Sequence, residues 1–171
     1  CKIKNPNKDF IFGDMTKFSL KEKKESILIT GRTTSYLLSN LNIRSCLKSI
    51  HNNLIEDGLL CFDFIDATRF LKEINGGKEV RHFANFNNKK YERDSVFNTN
   101  TSENFMFDWD SKYYEIKNDK KYLIAEDISE VRAFTKDEWY LFLHLNDFEL
   151  VKFIDRKSYA FDTYVVVAKK I

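Results

Sequence analysis

Residues 26–65 decide the fold, and they read SILITGRTTSYLLSNLNIRSCLKSIHNNLIEDGLLCFDFI. This stretch begins with an uninterrupted apolar, β-branched run at Ser26–Thr30 and ends with a second apolar run at Leu59–Ile65. Strands in which apolar and polar residues do not alternate are typical of parallel sheets, which are covered on both faces. Both runs are therefore predicted to be buried strands.

The residues between these two strands predict a helix. Apolar residues recur there at the spacing that gives a helix one buried face: Ile43, Leu47, Ile50 and Leu54. Ser39 or Asn40 is the expected N-cap. Gly58 is the expected end, because glycine tolerates the left-handed turn that follows many helices. Strand, helix and strand with short links form a βαβ unit, which crosses over right-handed in nearly all proteins.

Upstream of this unit, a short apolar run at Phe10–Phe12 ends at Gly13 and Asp14. It predicts a brief buried strand. Downstream, residues 79–134 alternate apolar and polar residues between clusters of Asn, Gly and Asp. Four strands are predicted there: Glu79–Asn87, Lys90–Asn98, Asn104–Ile116 and Lys121–Arg132. The polar residues 117–120 are typical of a hairpin turn, so these strands are predicted to form an antiparallel meander.

The chain closes with one more helix and two strands. Thr135 and Glu138 have the spacing of a capping box, in which each side chain satisfies a free backbone N–H of the helix start. The predicted buried face of this helix consists of Trp139, Phe142, Leu143 and Leu145. The strands are predicted at Phe148–Ile154 and Tyr159–Ala168.

Bulk properties restrict the class of protein. The chain has 171 residues, of which 43% are hydrophobic, and this favours one soluble globular domain with a real core. Its 28 basic and 26 acidic side chains are interspersed and leave a net charge of +2. A solvated surface is therefore expected, and no nucleic acid partner.

The same reasoning restricts the compartment. No apolar run approaches the ~20 residues that span a bilayer, so no membrane partner is expected. No signal peptide opens the chain. The three cysteines, Cys1, Cys46 and Cys61, are odd in number and lack metal-ligand spacing. Cys46 and Cys61 lie within apolar patterns and predict buried thiols in a reducing compartment, hence a cytoplasmic protein without a metal site.

The order of these elements resembles the class I S-adenosylmethionine-dependent methyltransferases, in particular small-molecule N-methyltransferases such as the nucleotide-sugar amine dimethyltransferases. The resemblance covers about residues 9–171 and rests on the ordered set of motifs: Gly13-Asp14-Met15, the segment Leu28–Leu38, Asp57-Gly58-Leu59-Leu60 and Phe134–Trp139. It implies an α/β fold with a Rossmann-like sheet of strand order 3-2-1-4-5-7-6. Residues 1–71 and 133–171 would form this core within a single domain, and residues 72–132 an inserted antiparallel β-meander.

The sequence also departs from the family. The family's glycine-rich loop lies on its first strand, and the acidic residue that binds the cofactor ribose ends its second strand; neither is present. Both are expected upstream of Cys1, so the chain is interpreted as the C-terminal two-thirds of a methyltransferase domain. Two neighbouring sheet edges would then lack partners, at about 1–3 kcal/mol for each unpaired buried group. The chain is therefore expected to be incomplete as a folding unit, which urea unfolding of this segment and of the whole protein would test.

The resemblance implies S-adenosylmethionine as the cofactor. Asp14 and Met15 carry over as contacts to its adenine, the carboxylate accepting from the exocyclic amine. Thr30, Gly31 and Arg32 follow the central strand, and open α/β sheets bind ligands at the carboxyl ends of their strands. Gly31 would let the backbone approach the cofactor closely. Arg32 is either a surface charge or a contact to the cofactor carboxylate or an anionic substrate.

Candidate residues for the acceptor side follow from their positions. Methyl transfer requires mainly alignment, although an amine nucleophile must lose its proton, so a nearby carboxylate can help. Asp63, between Phe62 and Phe64, is the candidate catalytic base or substrate contact. Candidate substrate contacts are Tyr36, Asp66, Arg81 and His82. The last two open the meander, where the family often places substrate or dimer contacts. A core position for Tyr36 and purely structural roles for the acidic residues remain open.

Three functions are compatible with these residues. The favoured function is methyl transfer to a small-molecule acceptor, with an amine favoured by the resemblance. The first alternative is a non-catalytic methyltransferase-like module for interaction or homodimerisation through the aromatic-rich meander. The second alternative is a small β-rich ligand-binding protein built on the meander alone. This hypothesis does not account for the βαβ unit. An upstream strand followed by a Gly-x-Gly loop would favour the enzyme.

Overall fold

The computed structural model describes residues 4–74, 77–100, 105–157 and 163–171. The helices of the described residues are α1 (Asn40–Asn53), α2 (Ala67–Glu73) and α3 (Lys136–His144), with a short 3₁₀ turn at Thr33–Tyr36. The strands are β1 (Lys24–Ile29), β2 (Leu54–Ile65), β3 (Lys78–Phe86), β4 (Lys89–Thr99), β5 (Met106–Lys117), β6 (Lys120–Arg132), β7 (Phe148–Arg156) and β8 (Thr163–Lys170).

The first sheet has the order β1-β2-β8-β7. β1 pairs parallel with β2, and β8 pairs antiparallel with both β2 and β7. This is the arrangement of the last four strands, 4-5-7-6, of the sheet that the resemblance implies, so the predicted fold class is confirmed. Because β7 runs parallel to β1 and β2, the carboxyl ends of these three strands lie at one edge of the sheet.

α1 and α3 cover one face of this sheet. The ring of Trp139 lies with its centroid 4.5 Å from that of Phe62 and 4.7 Å from that of Phe134. All three side chains are buried, and α1 adds Ile43 and Ile50 to the same core. Full burial of one such side chain contributes about 1.5–3 kcal/mol, so this aromatic cluster is a main source of stability.

The second sheet is the predicted meander, with β3 to β6 in sequential antiparallel order. The turns at Asn87–Asn88 and Asn118–Asp119 have positive φ at both residues, which matches the twist of a tight hairpin and suits asparagine. A second core lies where the meander meets α2. Phe70 of α2 packs with ring centroids 4.7 Å from Phe107 and 5.6 Å from Phe97.

Two sequence predictions about strands and helix ends were wrong. Phe10–Phe12 forms no strand, and Phe12 is fully exposed, because no neighbouring strand in the described residues offers these residues a ladder. α1 ends at Asn53 and not at Gly58, which lies within β2. Gly58 has another constraint, since an added Cβ would lie 2.8 Å from the carbonyl oxygen of Ile55.

Two helical details were also mispredicted. α2 was not predicted, since its seven residues are too short to show a clear period. Leu145 is 59% exposed at the end of α3, whereas Trp139, Phe142 and Leu143 are buried as predicted. The capping box of Thr135 and Glu138 is confirmed. Cys1, Asn104 and residues 159–162 of the predicted last strand lie outside the described residues.

β1 forms the border of the first sheet in the described part of the chain. It pairs with β2 on one side, and Leu28 on this strand is 65% exposed. The prediction that this run is a buried strand was wrong for β1, none of whose residues is buried, because β1 has one partner strand among the described residues. Whether the segment folds alone stays a prediction.

A buried arginine joins the two sheets. Arg132, at the end of β6, is 1% exposed. Its Nη1 donates to the carbonyl oxygen of Leu38 at 3.2 Å and to Oδ1 of Asn40 at 2.9 Å. Its Nη2 donates to Oε1 of Glu138 at 2.8 Å. One guanidinium therefore fixes the end of the meander to the start of α1 and the start of α3.

Replacing Arg132 tests this junction. Arg132→Leu should lower the free energy of unfolding by about 2 kcal/mol, because the acceptors on Leu38, Asn40 and Glu138 lose their buried, charged donor. Arg44→Leu is the control, since Arg44 is exposed on α1 and its loss should change stability by no more than about 0.5 kcal/mol. Urea unfolding monitored by tryptophan fluorescence measures both, and equal stabilities for the two variants would contradict the junction.

Candidate functional site

The turn after β1 reverses the chain through two consecutive left-handed residues. Gly31 has a φ of 73° and Arg32 a φ of 62°. The hydroxyl of Thr33 donates to the carbonyl oxygen of Thr30 at 2.7 Å, and the amide of Ser35 donates to that of Arg32 at 2.9 Å. Left-handed backbone is strained for a residue with a side chain, at about 1–2 kcal/mol. The backbone groups of residues 30–32 thereby lie at the carboxyl edge of the sheet.

Asp63 of β2 fixes this turn. Its Oδ1 accepts from the amide of Arg32 at 2.8 Å, and its carbonyl oxygen accepts from the hydroxyl of Thr34 at 2.8 Å. Nη1 of Arg156, from the end of β7, lies 3.6 Å from the other carboxylate oxygen. The structure therefore brings Gly31, Arg32 and Asp63 together and adds Arg156.

The neighbouring acidic residues at this edge have structural partners. Asp66 is 2% exposed and caps α2, its Oδ1 accepting from the amide of Thr68 at 3.2 Å. Arg69 donates through both terminal nitrogens to Asp155 at 2.9 Å each and also donates to the hydroxyl of Tyr164. This bidentate pair raises the pKa of Arg69 and lowers that of Asp155.

An apolar cavity lies alongside β1 on the side of α1. Its volume is about 500 Å³. Ile27, Leu28 and Ile29 of β1 line one wall, and residues 11–15 line another. Both predicted adenine contacts, Asp14 and Met15, are among the lining residues. Cys46 lines the cavity as well, and burial raises the pKa of its thiol to about 12, which agrees with the predicted inert, buried thiol.

Asp14 lies at the exposed rim of this cavity as the anchor of a tight turn. Its Oδ1 accepts from the amide of Thr16 at 2.9 Å and from the hydroxyl of Thr16 at 2.8 Å. These hydrogen bonds, the backbone one first, lower the pKa of Asp14, and the nearby Lys17 adds a smaller effect. The other carboxylate oxygen lies 3.9 Å from Nζ of Lys17. It is the oxygen that faces fewer protein donors.

The remaining predicted residues lie apart from this cluster. Tyr36 ends the 3₁₀ turn and is 52% exposed, so it is not a core tyrosine. Arg81 lies on β3 of the second sheet, where its Nε lies 2.9 Å from both Glu92 and Asp94. Nδ1 of the adjacent residue His82 lies 3.2 Å from Nη2 of Arg93. Burial, and then the charge of Arg93, lower the pKa of His82, which favours the neutral imidazole.

Sequence reasoning missed several of these residues. Arg69, Asp155 and Tyr164 are separated by up to 95 positions, and no local pattern links them. Arg156 likewise reaches the edge only because β8 lies between β2 and β7. Asp66 could have been identified as a cap, because Asp is among the residue types preferred at the N-cap of a helix.

Within residues 4–74, 77–100, 105–157 and 163–171, no group of three or more His, Cys, Asp or Glu side chains could hold a metal ion. No helix in the same part of the chain is both long and apolar enough to cross a bilayer.

No protein-family model and no curated protein matches the chain. Solved structures do match. DesVI of Streptomyces venezuelae superposes with a TM-score of 0.74 at 12% identity, covering 96% of this chain and 67% of DesVI. An S-adenosylmethionine-bound amino pentose methyltransferase from Micromonospora echinaspora gives 0.68 at 13% identity, covering 93% and 63%. The chain has the class I methyltransferase fold.

A sugar N-methyltransferase from Streptoalloteichus has the same fold. It superposes with a TM-score of 0.68 at 13% identity, and the match covers 91% of this chain. This chain spans 60% of that enzyme's length. The similarity therefore extends over nearly all of the present chain, whereas the matched part is less than two thirds of the sugar N-methyltransferase.

The backbone of Gly31 generates one prediction. Gly31→Ala should lower the free energy of unfolding by roughly 1 kcal/mol, because a Cβ strains the left-handed backbone although it would meet no other atom. Gly13→Ala is a matched control, since a Cβ there also meets nothing and its φ is not positive. Equal urea midpoints for the two variants would show that the backbone at residue 31 is not constrained.

The turn at Asp14 generates a second prediction. The pKa of the Asp14 carboxyl is lower in the folded protein than its ordinary value of about 3.9. The stabilisation that the ionised carboxylate gives the fold is therefore fully present when the pH lies above that ordinary value, and it is lost as the pH falls through the lowered pKa. Thr16→Val removes the hydroxyl donor and keeps the amide, so the pKa of Asp14 should rise part of the way to the ordinary value. A carboxyl ¹³C NMR titration measures this, with Lys17→Ala as the control that should change it less. An unchanged pKa in Thr16→Val would contradict the turn geometry.

Proposed function

We propose that this chain is part of an enzyme that transfers a methyl group from S-adenosylmethionine to a small-molecule acceptor, with an amine as the nucleophile. The observation that supports this most strongly is the position of the cavity. It lies beside β1 and is lined by Asp14 and Met15, and β1 continues directly into the Gly31–Arg32 turn. Open α/β sheets bind ligands beyond the carboxyl ends of their strands, which is where this turn lies.

The residues around the cavity fit the adenine end of the cofactor. The walls from β1 are aliphatic and suit the faces of a planar base, while Asp14 at the rim supplies an acceptor for an exocyclic amine. The main-chain groups of Thr30–Arg32 would face the middle of the cofactor at the strand end. Arg32 is held in the turn through its backbone, and its side chain would reach a carboxylate of the cofactor or an anionic acceptor.

The division of chemical work follows from the reaction. The bound sulfonium supplies an already activated methyl group, so the protein has to align the acceptor and exclude water. Tyr36, Asp66, Arg81 and His82 remain our proposed acceptor contacts. Among them Tyr36 is the most exposed near the edge, whereas Asp66 acts through the position of α2. Asp63, which the sequence suggested as a base or a substrate contact, is the carboxylate that accepts from the amide of Arg32 in the Gly31–Arg32 turn.

An amine acceptor is supported by the neighbours. Two of the three solved structures described above are an amino pentose methyltransferase and a sugar N-methyltransferase. At 13% identity, however, the acceptor pocket is free to differ. The proposal is therefore an amine-bearing small molecule, without a choice of its scaffold.

One observation favours the alternative function, a homodimerisation module. The meander exposes large apolar side chains, with Phe83 69%, Phe86 62% and Ile128 82% exposed. β3, which carries Phe83 and Phe86, and β6, which carries Ile128, are the edge strands of the described meander, and an exposed edge strand can pair with another chain. Sedimentation of the whole protein would test this, with a dimer that Phe83→Ser and Ile128→Ser dissociate as the supporting result. A dimer that still binds cofactor would be compatible with both functions.

Cofactor binding tests the main proposal. In calorimetry on the whole protein, S-adenosylmethionine should bind, and Asp14→Ala should weaken binding by about tenfold, the loss of one hydrogen bond to a charged acceptor. Asp9→Ala is the matched control, because Asp9 is an exposed carboxylate on the same segment outside the cavity lining. Absence of any binding by the unmodified protein would end the methyltransferase proposal.

A further inference from the structure

The turn after β1 depends on a carboxylate from the neighbouring strand. Arg32 precedes the 3₁₀ turn, and its own side chain makes no capping hydrogen bond. The amide of Arg32 instead donates to Oδ1 of Asp63, and the buried hydroxyl of Thr34 donates to the main-chain oxygen of the same residue, each at 2.8 Å. One residue of β2 therefore holds two positions of the turn.

The surroundings of Asp63 leave little room for a substrate. Its side chain is only 7% exposed. One carboxylate oxygen faces the amide of Arg32, and the other lies 3.6 Å from the guanidinium of Arg156. Because only 7% of this side chain is exposed, and Arg32 and Arg156 lie against its two oxygens, an amine has little room to approach the carboxylate. A general base needs an oxygen within hydrogen-bond reach of the proton that it takes.

We infer that Asp63 is a positioning residue that holds the Gly31–Arg32 turn at the carboxyl edge of the sheet, and that it does not take the proton of the acceptor. The inference deepens the proposed function and rests on it for the ligand. Its structural half, the dependence of the turn on Oδ1 of Asp63, stands without any ligand. Arg156 neutralises the far side of the carboxylate but does not contact the turn through this pair.

Two substitutions separate the roles. Asp63→Asn keeps an oxygen acceptor at the same place and removes the basic carboxylate. Asp63→Glu keeps the carboxylate and moves it by one methylene, away from the amide of Arg32. A positioning residue tolerates Asn better than Glu, whereas a base tolerates Glu better than Asn. Arg156→Gln is the matched control, because it removes the ion pair and leaves the Arg32 hydrogen bond.

Three measurements on the whole protein apply to each variant: hydrogen exchange of the Arg32 amide without ligand, calorimetric binding of S-adenosylhomocysteine, and kcat for methyl transfer as a function of pH. Asp63→Asn and Arg156→Gln should retain slow exchange of the Arg32 amide, and Asp63→Asn should keep the pH profile. Asp63→Glu should speed that exchange and weaken binding, each by about tenfold, the loss of one buried hydrogen bond.

Two results would overturn the inference. One is a loss in kcat of about 100-fold or more in Asp63→Asn with unchanged binding and exchange, the result expected of a base. The other is an unchanged Arg32 exchange rate in Asp63→Glu. If Asp63→Glu does not fold, Asp63→Asn still decides between the roles. Failure of the proposed function is distinguishable, because a protein that binds no S-adenosylhomocysteine still reports the turn through the Arg32 amide.

Discussion

The ladder between β2 and β8 holds the first sheet together, and the position of every group at the carboxyl edge depends on it. Residues Leu59–Ile65 pair antiparallel with Thr163–Lys169, and β8 pairs again with β7 on its other side. Because β8 runs antiparallel to both of its neighbours, β2 and β7 run parallel to each other and end at the same edge of the sheet. Arg156 is thereby brought to Asp63, and Asp155 to Arg69, across more than 80 positions of sequence.

The junction at Arg132 transmits this order to the second sheet. Its guanidinium binds the carbonyl oxygen of Leu38, which follows the 3₁₀ turn, and the carboxylate of Glu138, which also caps α3. The same glutamate thus stabilises a helix start and a buried cation. Because a buried arginine needs several acceptors in fixed places, the meander can attach to the core in few other ways. The turn after β1 is consequently fixed from β2 on one side and from β6 on the other.

Local physical rules account for what could be predicted from the sequence. β1, α1, the meander strands and the capping box of α3 follow from apolar spacing, turn residues and the Thr135–Glu138 pair. The strand order of the first sheet could be predicted only from the resemblance to the methyltransferases, because no local sequence pattern specifies that β8 lies between β2 and β7. Phe10–Phe12 shows that an apolar pattern alone can also predict a strand that does not form. An apolar run becomes a strand only where another strand pairs with it through hydrogen bonds.

The candidate site was predictable to the same extent. Gly31 and Asp63 could be placed because they directly follow or end strands, and strand ends meet at one edge. Their partners could not, because Arg69, Arg132 and Arg156 act through contacts between distant segments. The sequence suggested Asp63 as a base or substrate contact and Asp66 as a substrate contact, whereas the contacts show Asp63 accepting from the Arg32 amide and Asp66 capping α2. Asp155, for which the sequence made no prediction, pairs with Arg69.

This use of the acidic residues has a chemical consequence. When the carboxylates at the edge are engaged by amides and guanidinium groups, they hold the backbone in place and are poorly placed to exchange protons with a substrate. A reaction at such an edge has to draw its driving force from the reactants themselves. Transfer of a methyl group from a sulfonium meets this condition, because the leaving group is already activated and the protein contributes alignment and exclusion of water. The turn held by Asp63 and the apolar cavity beside β1 are the features on which the proposed methyl transfer would depend.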